Sequence, residues 1–279
     1  MVIVESGCFW NISDRRHKMK YDLSDLTVLM PVRIESLVRL ENVLAVLGYL
    51  ERYFKINVMV WEADQKNNGI LQRQISDRVN YSYVYDCDPV FYRTSYINRM
   101  ATEVSTEFLA VWDADVVCSP GQVNEAILKL RSGVLDFCYP YDGEFLDTGK
   151  LIREEFLENG DINVLDEFHG FMSAPYGPRM RGGAFLVNAQ KYSEAGMENL
   201  NFYGWGPEDW ERYERWKNLG YRVGDVKGCL YHLSHPRDMN GTHNSSQQKM
   251  YSHYERLQTM FSSANEIVKR MNLNDEGLE

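Results

Sequence analysis

Apolar residues follow two alternating patterns along the chain from Leu26 onwards. Short continuous apolar runs are typical of buried strands, whereas apolar residues that recur every three to four positions are typical of helices. The runs predict strands at residues 26–30, 56–61, 81–85, 108–112, 135–139 and 184–187, and a strand pair or an extended segment within 221–231. The periodic stretches predict helices at residues 36–53, 95–105, 207–219 and 245–271, and another that starts at Pro120.

Strands that alternate with helices imply βαβ crossovers and a mainly parallel sheet with helices on both faces. We therefore expect an α/β fold in one domain over residues 1–279, with an N-terminal extension (1–25) and a C-terminal helix (245–272). Residues 140–181 interrupt this alternation, because they are polar and rich in turn-forming residues. A connection of that length indicates a functional insertion.

Composition and charge narrow the class of protein. Thirty Lys and Arg residues against 40 Asp and Glu residues give a net charge of −10, which argues against a nucleic-acid partner. Five widely spaced cysteines, with no CxxC pair, make a zinc ribbon or a disulfide framework a poor fit and favour a reducing compartment. No apolar run approaches the ~18 residues of a transmembrane segment, and charges interrupt the first 20 residues. We expect a cytoplasmic protein.

Two groups of side chains could hold a divalent metal ion. Asp113 and Asp115 follow the strand predicted at 108–112, and ligands of parallel sheets bind beyond the carboxyl ends of the strands. Two buried carboxylates are costly unless paired, and a cation would relieve that cost, although helix capping is an alternative role. His232 and His235 lie three residues apart. Imidazole beside carboxylate favours Mn²⁺ over Mg²⁺.

Acidic and basic residues mark further candidate positions. Glu208 and Asp209 start the helix predicted at 207–219, where the helix dipole alone favours acids. The alternative is a general base in a pocket walled by Trp205. Arg33 and Arg93 follow predicted strands, where an arginine can pair with phosphate or simply be solvated.

Taken in order, these segments resemble the catalytic domain of the β-1,4-galactosyltransferases, which are metal-dependent glycosyltransferases of GT-A fold. The resemblance extends from Leu26 to about Arg237. It rests on five motifs at residues 31–33 (PVR), 91–98 (FYRTSYIN), 113–115 (DAD), 174–183 (APYGPRMRGG) and 204–209 (GWGPED). The family's Met and His three residues apart correspond to His232 and His235, and a glycine of its last motif corresponds to Pro207.

The resemblance implies a role for each of these positions. Asp209 is the expected catalytic base, with Glu208 beside it. The expected metal ligands are Asp115, His232 and His235, with Mn²⁺ or Mg²⁺ as the ion. The residues expected to bind a UDP-sugar donor are Pro31, Arg33, Arg93, Asp113, Gly182, Gly183 and Trp205.

The function implied is inverting transfer of galactose or an N-acetylhexosamine from a UDP-sugar to the hydroxyl of a glycan or lipid-linked glycan. The family's stem and membrane anchor have no counterpart here. That implies a bacterial cytoplasmic enzyme of surface polysaccharide synthesis, with peripheral contact to the inner membrane as one option. The C-terminal helix could instead form a homodimer face, although packing against the domain is favoured. The alternatives are a sugar-nucleotidyltransferase, a retaining glycosyltransferase and a non-catalytic protein that binds nucleotides or glycans.

Overall fold

The structure, a computed structural model, describes residues 20–237 and 239–275. Most of the predicted N-terminal extension (1–25) lies outside this part of the chain. Residues 21–25, however, belong to the first strand and correct that boundary. The polar side chains of residues 21–25 interrupt any apolar run, so the hydrophobic pattern does not predict a strand there. Asn57 on the neighbouring strand donates hydrogen bonds to the carbonyls of Ser24 and Leu26 at 2.9 and 3.1 Å.

Strands and helices alternate through the first half of the chain, as the hydrophobic pattern predicts. The strands are β1 (Tyr21–Val32), β2 (Phe54–Asp64), β3 (Val79–Tyr85), β4 (Phe108–Trp112), β5 (Val116–Val117), β6 (Phe137–Tyr139), β7 (Glu144–Asp147), β8 (Ala184–Asn188), β9 (Val223–Asp225) and β10 (Cys229–His232). The helices are α1 (Leu37–Tyr53), α2 (Arg93–Thr102), α3 (Pro120–Arg131), α4 (Gly149–Asn159), α5 (Ile162–Glu167), α6 (Ala189–Glu194), α7 (Glu208–Asn218), α8 (Ser246–Phe261) and α9 (Ala264–Asp275).

Within the described residues, the main sheet has seven strands in the order β3-β2-β1-β4-β8-β6-β9. The first four are mutually parallel, and β6 is parallel to β9, whereas β8 runs antiparallel to both of its neighbours. A second sheet has the strand order β5-β10-β7, in which β10 is antiparallel to β5 and parallel to β7. The prediction of an α/β fold with a mainly parallel sheet is confirmed.

Local sequence explains where the core helices begin. Ser36 caps α1 by accepting a hydrogen bond from the Arg39 backbone N–H at 3.2 Å. Pro120 occupies the first turn of α3, and Ser119 forms a capping box with Gln122. In β4 every side chain is buried, as expected for a central strand covered on both faces.

Residues 140–181, predicted to be a turn-rich insertion, contain β7, α4, α5 and a short 3-10 helix (His169–Phe171). The polar composition predicted turns instead of helices, because charged side chains of this segment form hydrogen bonds and ion pairs inside the protein. Arg153 is buried, and its guanidinium donates to Asn42 at 2.8 Å and to Glu41 at 2.7 Å. Asn42 in turn donates to the Leu233 carbonyl at 2.7 Å, so this insertion is attached to the segment that carries His232 and His235.

The single C-terminal helix predicted at 245–271 is two helices, α8 and α9. The chain is extended at Ser262, where α8 ends. Ser263 then starts the next helix, because its backbone N–H and its hydroxyl both bond the Glu266 carboxylate at 2.7 Å. Among the helices described, none combines the length and the apolar character that a membrane span requires.

Candidate functional site

An open cleft of about 420 Å³ lies beyond the carboxyl ends of β1 and β4. This is the edge of a parallel sheet at which ligands bind. Each side chain or glycine that sequence analysis singled out contributes to its wall: Pro31, Arg33, Arg93, Asp113, Asp115, Gly182, Gly183, Trp205, Glu208, Asp209, His232 and His235. The fold therefore brings together residues that are up to 204 positions apart in the chain.

Asp115, His232 and His235 form a compact cluster in this cleft. Antiparallel pairing of β5 with β10 sets His232 opposite Val116, next to Asp115 in the chain. Nε2 of His235 lies 3.0 Å from Oδ2 of Asp115, and Nε2 of His232 lies 4.0 Å from the same oxygen. One ligand atom from each of the three residues lies within 4.8 Å of the other two.

The other ring nitrogens of both histidines are held by acceptors. Nδ1 of His232 bonds the Asp147 carboxylate at 2.9 Å, and Nδ1 of His235 bonds the Pro236 carbonyl at 2.8 Å. Since a carbonyl only accepts, Nδ1 of His235 donates the hydrogen in its bond to Pro236. Nε2 of His235 faces the Asp115 carboxylate, and a hydrogen bond at the far nitrogen is typical of metal-binding histidines. The donor set fits a divalent metal ion.

Electrostatics keep these carboxylates ionised. Burial opposes ionisation of Asp115, but the hydrogen bond to His235 and the charges of both histidines prevail and lower its pKa to about 2. Asp147 is likewise desolvated, and its bonds to His232, the Gly149 N–H and Ser234 lower its pKa to about 2. Sequence analysis missed Asp147, because it lies in the insertion and belongs to no recognisable motif.

Asp113 lies on the other side of this cluster and is paired with Arg93. Its backbone N–H donates to the Gly183 carbonyl at 2.7 Å, and its carboxylate forms a salt bridge with the Arg93 guanidinium. Burial raises the pKa of Asp113 to about 6 against the influence of Arg93, and the nearby Asp115 adds to the rise. Arg93 therefore supplies positive charge inside the cleft, next to the cluster of Asp115, His232 and His235.

Asp209 occupies the first turn of α7, and its carboxylate is fixed from two sides. Its Oδ1 accepts a hydrogen bond at 2.5 Å from Arg212, whose other amino group donates to Glu198 at 2.6 Å. Arg212 and Glu198 are both buried. On the opposite side, Oδ2 lies so close to Gly182 that a Cβ at that position would come within 2.5 Å of it. Sequence analysis missed Arg212, although its spacing of three residues from Asp209 places both on one helix face.

Glu208 differs from its neighbour in having a buried oxygen, Oε2, without a hydrogen-bond partner in the described part of the chain. Burial, reinforced by the charge of Asp209, raises the pKa of Glu208 to about 8. At neutral pH Glu208 is therefore largely protonated and can donate a hydrogen bond into the cleft. The two adjacent carboxyl groups thus differ in their surroundings, because Asp209 is bound by Arg212 whereas Oε2 of Glu208 is buried without a partner among the described residues.

Arg33 lines the cleft but directs its donors into the protein. Its guanidinium donates to the carbonyls of Ala63 at 3.0 Å and Asp88 at 2.9 Å, and to the Asp86 carboxylate at 2.5 Å. Sequence reasoning expected these donors to meet phosphate. In this structure Arg33 instead ties the end of β1 to the loop between β3 and α2, next to Pro31 at the base of the cleft.

Trp205 lies at the rim of the cleft and is 37% exposed. Its ring meets His243 edge-on at 4.6 Å between centroids, and its carbonyl accepts a hydrogen bond from Gln248 at 2.8 Å. The first turn of α8 therefore supports the loop that presents Trp205. Gly204 in this loop has a φ of +82°, which only glycine adopts readily.

Comparison with known proteins identifies the fold. A family model described as the N-terminal domain of galactosyltransferase matches residues 170–238, the segment that contains Gly182, Trp205, Asp209, His232 and His235. Among curated protein sequences, none matches the chain.

Several solved structures resemble this one. The catalytic domain of Drosophila β1,4-galactosyltransferase 7 in complex with xylobiose is 16% identical, with a TM-score of 0.50 over 83% of this chain and 79% of that one. The mannosyltransferase PcManGT from Pyrobaculum calidifontis in complex with GDP-Man and Mn²⁺ is 14% identical, with a TM-score of 0.49 over 76% of this chain. This chain spans 58% of that mannosyltransferase.

A third structure is glucosyl-3-phosphoglycerate synthase from Mycobacterium tuberculosis in complex with Mn²⁺, UDP and phosphoglyceric acid. It is 13% identical, with a TM-score of 0.47 over 76% of this chain and 71% of that one. Likeness at these identities is likeness of fold alone. The chain has the GT-A glycosyltransferase fold.

Proposed function

We propose that this protein is a metal-dependent, inverting glycosyltransferase that moves a hexose or an N-acetylhexosamine from a UDP-sugar to an acceptor hydroxyl. The observation that carries the proposal is the meeting, in one cleft, of a metal-binding cluster (Asp115, His232, His235) with a carboxylate held in place (Asp209). A binding protein needs neither the fixed carboxylate nor its protonated neighbour. A transferase uses both.

Asp209 is proposed as the general base. A carboxylate held at this position can accept the proton of the attacking acceptor hydroxyl. Its Oδ1 is engaged by Arg212, which leaves Oδ2, on the side of Gly182, as the atom that takes the proton. In direct displacement from one side of the sugar, the new bond forms as the bond to the diphosphate breaks, and the anomeric configuration inverts.

Departure of UDP places negative charge on its β-phosphate, and the cleft holds the groups that would stabilise that charge. Asp115, His232 and His235 would bind Mn²⁺ or Mg²⁺, and such an ion when bound acts as a Lewis acid on the diphosphate. Arg93 adds a guanidinium that remains charged, already oriented by Asp113. Asp113 is proposed to position Arg93 for the donor.

The remaining cleft residues are proposed to shape the donor and acceptor sites. Gly182 and Gly183 line the cleft and are proposed to lie beside the donor sugar; Gly183 itself must be glycine because a Cβ there would come within 2.5 Å of Leu230. Trp205 offers an apolar face for the acceptor ring and shields the reaction from water. Protonated Glu208 would donate a hydrogen bond to a sugar hydroxyl. We further propose a glycan or lipid-linked glycan as the acceptor, in bacterial surface polysaccharide synthesis.

Calorimetric titration of the protein with UDP, with and without Mn²⁺, tests the donor site. We expect tight binding that requires both Mn²⁺ and Asp115, so that Asp115→Ala abolishes the effect of the metal. Asp77→Ala, at an exposed aspartate outside the cleft, is the matched control and should bind as the wild type does. Absence of UDP binding under every metal condition would refute the donor assignment. UDP binding without UDP release from any UDP-sugar and acceptor would favour a binding protein instead.

A further inference from the structure

A second cluster of ligand-type side chains lies on the small sheet, outside the cleft. Glu144 opens β7 and Cys229 opens β10, and these two residues are direct partners in the parallel pairing of the strands. His169 comes from the 3-10 helix of the insertion. The cluster therefore combines a carboxylate, a thiol and an imidazole from three separate segments. None of the functional motifs in the sequence includes Glu144, His169 or Cys229.

The spacing of these side chains suits a small metal ion. Nε2 of His169 lies 3.6 Å from Oε2 of Glu144, and the ligand atoms of all three residues lie within 4.8 Å of one another. Zinc binds nitrogen and oxygen at about 2.0–2.2 Å and sulfur at about 2.3 Å, which places tetrahedral ligands about 3.3–3.8 Å apart. The pair formed by Glu144 and His169 already has this separation. Rotations of the Glu144 and His169 side chains that move their ligand atoms by about 1 Å would bring all three residues to the ligand spacing of zinc.

Two of the three side chains are also accessible. The side chains of Glu144 and His169 are 50% and 45% exposed, and the hydrogen bonds and ion pairs described for them join only these two to each other. Asp136 illustrates the contrast, because both of its oxygens are occupied by bonds to Arg222 and Lys191. Cys229 lies beneath the pair, with 8% of its surface exposed. The cluster has a buried sulfur at its base and an open side towards solvent.

We propose that Glu144, His169 and Cys229 form a zinc site, separate from the metal site of the cleft. Zinc is favoured because thiolate and imidazole are soft or borderline ligands, whereas the cleft cluster has oxygen and nitrogen alone. Three protein ligands leave a fourth position for water or for a ligand from a substrate or partner. Metal binding displaces the thiol proton of Cys229 to solvent, so that the sulfur binds as thiolate.

The position of the site gives it a structural consequence. Cys229 and His232 are the first and last residues of β10, about 10 Å apart along the strand, and alternation turns them to opposite faces. A zinc ion on one face would fasten the 3-10 helix of the insertion to the strand that presents His232 on the other. The inference does not depend on the proposed transferase activity, since it concerns different residues and a different ion.

Titration with Co²⁺, a spectroscopic substitute for zinc, tests the site without any activity assay. The full chain carrying Asp115→Ala is used, so that the cleft cluster does not compete. We expect a cobalt–thiolate charge-transfer band in the near ultraviolet, which added Zn²⁺ abolishes. Cys229→Ser should remove the band, and Cys87→Ser, at an exposed cysteine outside the cluster, should leave it unchanged. Because outer partners of metal ligands are already worth about 10–100-fold in affinity, His169→Ala should weaken binding at least tenfold.

The outcomes that overturn the proposal are equally distinct. Binding of Co²⁺ without a thiolate band, no binding, or a band that persists in Cys229→Ser would each exclude this site. If the buried Cys229→Ser variant fails to fold, His169→Ala and Glu144→Gln decide the question, because both alter half-exposed side chains. Unchanged Co²⁺ affinity in both would refute the assignment. Failure here leaves the UDP and Mn²⁺ titration of the cleft unaffected.

Discussion

Replacing Gly182 by alanine tests how closely the position of Asp209 controls turnover. The added Cβ would lie 2.5 Å from Oδ2 of Asp209, whereas ordinary van der Waals contact begins at 3.4 Å. The carboxylate must therefore retreat by about 0.9 Å. The contact is with a side chain rather than with backbone, so the fold should survive.

Retreat of the carboxylate is opposed from its other side. Oδ1 of Asp209 bonds Arg212 at 2.5 Å, and Arg212 is buried and bonded to Glu198. Asp209 therefore rotates away from its working position instead of sliding back as a unit. Misplacement of a reacting group by about 1 Å can cost about 100-fold in rate. We expect Gly182→Ala to lower kcat by about that factor.

The assay is the initial rate of UDP release from the UDP-sugar and acceptor that support turnover, together with calorimetric binding of UDP and Mn²⁺. Binding should be almost unchanged, because Asp115, His232 and His235 do not contact the new methyl group. Gly121→Ala is the control, since a Cβ there would meet its nearest neighbour at an ordinary 3.7 Å. A Gly182→Ala variant that retains wild-type kcat would show that Asp209 is not the base, or that its position does not matter.

Three further variants probe the site and the core. Asp209→Asn should lower UDP release by about 10²–10⁴-fold in the same assay while leaving Mn²⁺-dependent UDP binding intact; near-wild-type transfer would exclude it as the base. Trp205→Ala should raise the ratio of donor hydrolysis to transfer, measured as free sugar against glycosylated acceptor; an unchanged ratio would exclude shielding by this ring. Asp136→Asn removes charge-assisted bonds to Arg222 and Lys191 and should lower the free energy of unfolding by about 2 kcal/mol in urea titrations at pH 7. These partners hold the pKa of Asp136 well below its usual range despite burial, so the difference should persist above pH ~4 and shrink as the pH falls below it; a difference independent of pH would contradict that reasoning.

Hydrophobic patterning predicted the elements whose buried positions follow a regular pattern along the chain. The fully buried β4 and the amphipathic α1 lie where the sequence predicts them, because core packing there agrees with local preference. The pattern failed where polar groups are satisfied by distant partners. Buried Arg153, bonded to Asn42 and Glu41, made the insertion resemble a solvated loop. Two consecutive serines ended α8, although the apolar spacing continues across the break.

Pairing of strands decided the geometry of the candidate site. Sequence order places Asp115 and His235 120 residues apart, and only the pairing of β5 with β10 brings their side chains to 3.0 Å. Asp147 joins His232 because β7 pairs with β10 in the same sheet, a contact with no local sequence signal. The same pairing of β7 with β10 brings Glu144 next to Cys229, and His169 joins them from the 3-10 helix of the insertion.

The sequence by itself determined the alternation of strands and helices, the α/β class and the residue types that the cleft needs, since these depend on short-range periodicity and on chemical identity. Tertiary structure alone decided which donors remain free. Arg33 is charged in any conformation, yet in the fold its guanidinium is occupied by Ala63, Asp86 and Asp88. The protonation of Glu208 was decided in the same way, because burial beside Asp209 raises its pKa above that of a surface glutamate. Hydrogen-bond saturation and desolvation depend on neighbours that are distant in sequence, and those neighbours exist only once the chain has folded.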